Sequence, residues 1–472
     1  MEFALLLCFV TIGGLLLTRA SRMPLINAVS VATVPWLGSV LVAVWFGGVT
    51  DGILDLTWIM LLASWLATIV GALIGWAWRG GPQVEENVRP NIDIANLRSK
   101  HMILIGVLAA YVATQFLTMW PTIQSVGGLG AIFDGAGDVY RRAVIDDALS
   151  KAQSGLGEGG LLAAGLNYVL FIVGMSSLFT GSVLWVARYR LAAIVPVALS
   201  SAISILTLQR TSVVLSVLLF TFGVFAVKWS GVDLERRAKG ARRRSALPGI
   251  FAGLVALGAA AWFMVFLSGT RGGKAEERGI VTTFAEYLLG GLAGLNARNA
   301  QGADWAPLPA EGGGLDPTLG MGGYTFGGLW SVLARLGFPV EQTRYNLNFT
   351  PVNLFGEATI TNVAGALGEY YLDFRWAGII VISAALAFLT ATFQRRLLRD
   401  GSMVVIPALA FLLTVGAWSF FGSWFSDLRL ILLAVLGGLI LKWAISGTKK
   451  GHHERAASLD SGHQRPTLGR PA

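Results

Sequence analysis

SGTRGGKAEERGIVTTFAEYLLGG (residues 268–291) and TPVNLFGEATITNVAGALGEYYLDFRW (residues 350–376) open and close one long polar interval in a chain that is otherwise apolar spans joined by short connections. No run inside 268–376 holds ~18 continuous apolar residues, so the interval does not simply cross a bilayer. Its richness in Gly, Tyr, Phe and Trp rather than charge separates it from a disordered linker. The interval therefore reads as a long, semi-apolar loop held between membrane helices, where a substrate is to be sought.

Composition agrees. Of 472 residues 54% are hydrophobic and 13% charged, with a mean hydropathy of +0.64; soluble domains carry about 25% charge. Hydropathy predicts eleven spans, at roughly 3–18, 31–49, 56–78, 102–120, 161–179, 191–207, 212–229, 248–267, 377–393, 403–421 and 428–445. The first does not read as a cleavable signal, because Glu2 replaces a basic start and arginines follow the apolar run. The expected fold is all-α: a polytopic integral membrane protein with a long, partly helical external loop. Residues 1–446 form the membrane domain, 121–160 and 268–376 its external loops, and 447–472 a disordered cytoplasmic tail. Cys8 is the sole cysteine, which excludes an intrachain disulfide and a Cys metal cluster.

Lysine and arginine set the orientation. Alternate connections hold 24 and 12 of them, and the positive-inside rule places the richer set in the cytoplasm. The N-terminus is then outside, the tail inside, and 268–376 outside. The run ERRAKGARRR (235–244) reads as an anchor at anionic lipid headgroups, not as a nucleic-acid site. The four histidines, His101, His452, His453 and His463, all fall on the cytoplasmic side. External chemistry is left to carboxylates, arginines, hydroxyls and backbone groups.

Three arginines stand out. Arg210 sits in the tight apolar hairpin ISILTLQRTSVVLSV, where an intramembrane charge is functional or snorkels to the headgroups. Arg271 lies among glycines in SGTRGG, a setting in which guanidinium and backbone N–H groups can converge on an anion. Arg278 follows seven residues on and joins the same pocket or pairs with Glu276 or Glu277. Together they suit a diphosphate. In the loop 121–160, VYRRAVIDDALSKA reads as an amphipathic helix with Arg141 and Arg142 facing Asp146 and Asp147. TNVAGALGEYYLDFRW (361–376) reads as a helix entering the ninth span. On it Asn362, Glu369 and Asp373 share one face, with the small Gly365 and Ala366 as a groove between them. Paired carboxylates suit a general base for a sugar hydroxyl; solvated acids at a helix end are the alternative.

These segments resemble the bacterial oligosaccharide repeat-unit polymerases, the O-antigen polymerases. RGG with TTFAEYLLGGLAGLNA is similar to that family's arginine-plus-Tyr-Leu segment, GGYTFGGLWSVLARLGF to its Gly-x-x-Thr-Phe segment, and TNVAGALGEYYLDFRWAG to its Thr-Asn-Val…Tyr-x-Asp-Phe-Gly signature. The Arg210 hairpin is similar to its Gly-Ser-Arg turn. The likeness covers about a third of the chain. Gly365 stands where the family often has Thr, Arg375 where it has Gly, and no Arg-x10-Gly spacing occurs in the external loops. The resemblance implies substrate roles for Arg210, Arg271, Asn362 and Tyr371, and favours Asp373 over Glu369 as base. It also implies a helical, GT-C-like glycosyltransferase of the bacterial cytoplasmic (inner) membrane. Its substrate would be an undecaprenyl-diphosphate-linked oligosaccharide; it would use no metal or other cofactor and would have a chain-length regulator and a flippase as partners beside the lipid bilayer.

Two rivals differ in what they require. An O-antigen ligase is expected to carry an external histidine, which this chain lacks. A polysaccharide or lipid flippase needs buried polar pathways and short loops, against an external loop of about a hundred residues, a length that is usually functional or disordered.

Overall fold

The computed structural model describes residues 2–49, 52–78, 92–131, 139–140, 143–144, 160–207, 211–231, 274–300, 323–335, 350–361, 363–422, 424–425 and 427–446. Its membrane helices are α1 Glu2–Ala20, α2 Ala28–Trp45, α3 Asp55–Ala77, α4 Ile94–Ser125, α5 Gly160–Met175, α6 Ser177–Val186, α7 Arg190–Thr207 and α8 Thr211–Trp229. The polar interval closes with α11 Gly365–Ala377, and after it come a π-helical turn Gly378–Ile382, α12 Ser383–Asp400, α13 Ile406–Trp418 and α14 Leu428–Ile445. The interval itself supplies α9 Lys274–Ala300, α10 Gly327–Arg335, and strands β1 Thr350–Leu354 and β2 Glu357–Thr361. Among the described residues, eight helical stretches are long and apolar enough to cross a membrane, and two shorter apolar helices accompany them. The protein is a mostly helical, polytopic membrane protein. Ten of the expected spans fall on these helices; 248–267 lies outside the described residues, as do ERRAKGARRR and the tail.

Two boundaries differ from expectation. The span predicted at 102–120 is the middle of a 32-residue helix, α4, which rises about 48 Å and so exceeds a hydrocarbon core of ~30 Å. Its far end packs Ile123 against Tyr140 and Val144, an i, i+4 pair on the segment expected to be amphipathic. The acids and arginines of that segment lie outside the described residues. The span expected at 161–179 is offset at Ser176 into α5 and α6, which carry it on to Val186.

Small residues allow the closest helix contact. Gly71 and Gly75 of α3 lie so near the Ala384 and Phe388 backbone of α12 that a Cβ at either would strike a carbonyl. Such small-xxx-small spacing is a standard way for membrane helices to approach. Ser64 and Ser383 share a hydrogen bond of 2.9 Å, and the Thr392 hydroxyl donates to the Gly75 carbonyl (3.2 Å) along the same seam.

The polar interval is built onto one end of the bundle. α9 lies against α2 and α3: the Ser39 hydroxyl donates to the Leu288 carbonyl (2.7 Å). Asn296 then satisfies the start of α3, where the residue at the cap, Leu54, offers no side chain to do so. Its Oδ1 accepts from Leu54 N (2.8 Å) and Thr57 Oγ1 (3.1 Å), and its Nδ2 donates to the Gly52 carbonyl (2.8 Å). Asn299 Nδ2 donates to Thr57 Oγ1 (2.7 Å). The strands form an antiparallel hairpin whose two-residue turn, Phe355–Gly356, has φ 53° and 80°. That double left-handed turn matches the twist of paired strands. Leu354 also bridges Val49 after α2.

The helix expected over 361–376 is shorter. Strand β2 runs to Thr361 and α11 starts at Gly365, whose φ is 62°. The β-branched run Thr359–Ile360–Thr361 favours the strand, and the left-handed glycine ends any continuity into the helix. Asn362, expected on this helix, lies outside the described residues. The expected groove is filled: a Cβ on Gly365 would sit 2.6 Å from the Trp36 ring, and Ala366 N donates to the Ser419 carbonyl (2.8 Å).

A candidate active site at the loop-bearing end

Glu369 and Asp373 remain one turn apart on α11. Asp373 is buried, 4% exposed. Its Oδ2 accepts from Thr325 N (2.6 Å) and its Oδ1 from Tyr324 N (3.3 Å). Those amides precede α10, so the carboxylate fastens the Tyr324–Thr325 turn to α11. Hydrogen bonds from backbone N–H to a carboxylate are among the stronger ones in proteins.

The cation of the site is Arg298, in the last turn of α9. It is half-buried, and burial pushes its guanidinium below the ordinary arginine range, while Tyr324 and Glu369 pull it back up. Arg298, Glu369, Tyr324 and Asp373 thus form one neighbourhood drawn from α9, α11 and the turn before α10. Gly422, just beyond α13, lies against Glu369: a Cβ there would sit 3.5 Å from its Oε1.

Aromatic rings flank the acids. Phe326 lies 6.1 Å from Phe425, which meets Phe411 at 5.7 Å, and Tyr287 stacks on Phe421 at 6.4 Å. Trp418 packs on Phe421 at 4.9 Å and on Trp424 at 6.2 Å. Trp418, Phe421, Trp424 and Phe425 come from WSFFGSWF (418–425), a short connection between two spans.

The other expected site residues fall as follows. Tyr371 is buried two residues from each acid, and so on the opposite side of α11. The Arg375 guanidinium lies over its ring at 5.4 Å and Trp376 meets it edge-on at 6.1 Å. Arg278 is on α9, but 20 residues of helix, about 30 Å of rise, separate it from Arg298. Arg210 and Arg271 lie outside the described residues. Arg298 was missed because the segment resembling the polymerases ends at Ala297, one residue short. The signal was an arginine between Asn296 and Asn299 near the end of a Gly- and Leu-rich helix. Among the described residues no three His, Cys, Asp or Glu side chains group as metal ligands would.

Comparison with known proteins returns no match to a family model, a curated protein or a solved structure.

Proposed function

We propose that this protein is an oligosaccharide repeat-unit polymerase of the bacterial cytoplasmic membrane. It transfers a growing glycan from undecaprenyl diphosphate to the next lipid-linked repeat unit on the outer face. The observation that carries the reading is the neighbourhood of Arg298 and Glu369 at the loop-bearing end of the bundle, walled by aromatic rings. The charge asymmetry of the connections supports an outside position for that end.

The reaction needs few parts. An acceptor hydroxyl oxygen attacks the anomeric carbon of the donor glycan; the bond from that carbon to the diphosphate oxygen breaks; the diphosphate leaves on its lipid. Arg298 neutralises the leaving diphosphate through its guanidinium fork. Glu369 takes the acceptor proton. Asp373 is the poorer base, since its oxygens already accept two backbone N–H groups that protonation would disturb. We assign it as a positioning residue that holds Tyr324 and the turn before α10 in place. Aromatic faces from 418–425 and Tyr324 suit stacking against sugars.

The test is the purified protein with a lipid-linked repeat unit, the products resolved as a ladder on a gel. Arg298→Lys keeps charge but loses the fork, and ladder formation should fall at least tenfold at equal protein level. A full ladder from Arg298→Ala would remove the assignment. Deletion of the gene should leave single repeats on the surface; loss of all surface repeats would favour a flippase instead.

A further inference from the structure

The opposite, basic end of the bundle carries a cluster that this reaction leaves unused. His101, buried near the start of α4, hydrogen-bonds Thr180 Oγ1 at 2.7 Å and the Ala192 carbonyl at 3.0 Å, and so fixes α4 against α6 and α7. Just before it on α4 comes Arg98. The connection from α6 to α7 is a tight turn made at Arg188, whose φ is 71°. It sets Tyr189 beneath the Arg98 guanidinium at 5.1 Å and lets Arg190 lie over the Trp185 ring at 5.6 Å.

Several other cations at this end bind protein oxygens. Lys100 donates to the Trp443 and Ser446 carbonyls, Arg395 to the Trp76 carbonyl, and Arg399 to Asp400. Arg98 and Arg190 are exposed and, among the described residues, meet only the aromatic rings. Stacking fixes the guanidinium planes and leaves their N–H groups pointing outward.

Bare apolar surface continues directly from these cations. Leu191 is 86% and Ile194 45% exposed on α7; Met102, one turn beyond Arg98 on the same face of α4, is 60% exposed. A cationic rim above an uncovered apolar groove matches one kind of molecule, an amphiphile with an anionic head.

We propose that an anionic phospholipid occupies this place. Its phosphodiester lies between Arg98 and Arg190, and its acyl chains run along Met102, Leu191 and Ile194. Basic pockets between membrane helices are known settings for such headgroups.

Native mass spectrometry of the full-length detergent-solubilised protein tests this, with phosphatidylglycerol and phosphatidylcholine of matched chains as probes. Phosphatidylglycerol should be retained in preference. Its affinity should fall about fivefold for Arg190→Gln and roughly 25-fold for Arg98→Gln with Arg190→Gln. Arg396→Gln, an exposed cation at the same end, should change it less than twofold. Equal retention of both lipids, or an unchanged affinity in the double variant, would overturn the proposal. So would displacement by millimolar inorganic phosphate, which would mark a site for a soluble anion. If the double variant fails to fold, the single Arg190→Gln shift decides.

Discussion

Asn296→Ala should release α9 from the bundle while the spans stay folded. The side chain is 7% exposed and makes three hydrogen bonds, to Leu54 N, Thr57 Oγ1 and the Gly52 carbonyl. Each is worth about 1 kcal/mol net, and stranding buried backbone groups raises the cost, so about 3 kcal/mol is a fair total. If the loss falls on local undocking, the undocked fraction rises about a hundredfold, since each 1.4 kcal/mol is a factor of ten. A reporter cysteine at Ala293, 3% exposed on the packed face of α9, would read this as its alkylation rate in a Cys8→Ser background. Asn296→Asp keeps the Oδ1 acceptor and loses only the donor to Gly52, so about a tenfold increase is expected. Polymer formation should fall with α9 docking, because Arg298 is two residues away. An Asn296→Ala protein whose reporter labels less than threefold faster than its parent would refute the view that this residue fastens the roof of the site.

Glu369→Gln should lower polymerisation by about 10²–10⁴-fold, the usual contribution of a general base. Asp373→Asn should cost less; the reverse order of severity would return the base to Asp373. Gly75→Val, read by thermal unfolding in detergent, should fail to give a stable protein, since its Cβ meets the Phe388 carbonyl; wild-type stability would mean that α3 and α12 are held elsewhere. Arg375 holds φ 55° and ψ −140°, a conformation that favours glycine, so Arg375→Gly should relieve about 1 kcal/mol or more of strain against a smaller loss of contact with Tyr371. A lower melting temperature in that variant would argue that the stacking dominates. Cysteines at Ser125 and Ser446, exposed at opposite ends of the bundle, should label only from outside and only from inside; the reverse result would invert the orientation.

The spans were legible because each is an average over many residues, and a few polar side chains do not hide it. The overlong α4 was not, because its first turns carry the polar Asn96, Arg98, Ser99 and Lys100, and Pro121 reads as a stop, though it sits inside the helix. α9 was harder still. Gly290, Gly291 and Gly294 read as loop residues, yet they are glycine because Phe420 and Val363 carbonyls lie where a Cβ would be at the last two. Tertiary contact overrode propensity there. The same limit hid the site. That Glu369 and Asp373 are one turn apart follows from helical spacing. That Arg298 joins them depends on how a 27-residue helix crosses the bundle, which no local pattern encodes.

Follow the contacts around the site and they close on themselves. α9 is pinned to the head of α3 by Asn296; α3 is locked along its length to α12 through Gly71 and Gly75; α12 continues through one π-helical turn into α11; and α11 returns to α9 where Arg298 meets Glu369. Such a closed ring of four helices couples its members: loosening one contact weakens the support of the next. Under the proposed reaction, the spacing of the arginine and the acid would then depend on every corner of the ring and not on α9 and α11 alone. Amide exchange along 287–300 and 365–374 should accordingly rise together, as one unit, when any single corner of the ring is cut.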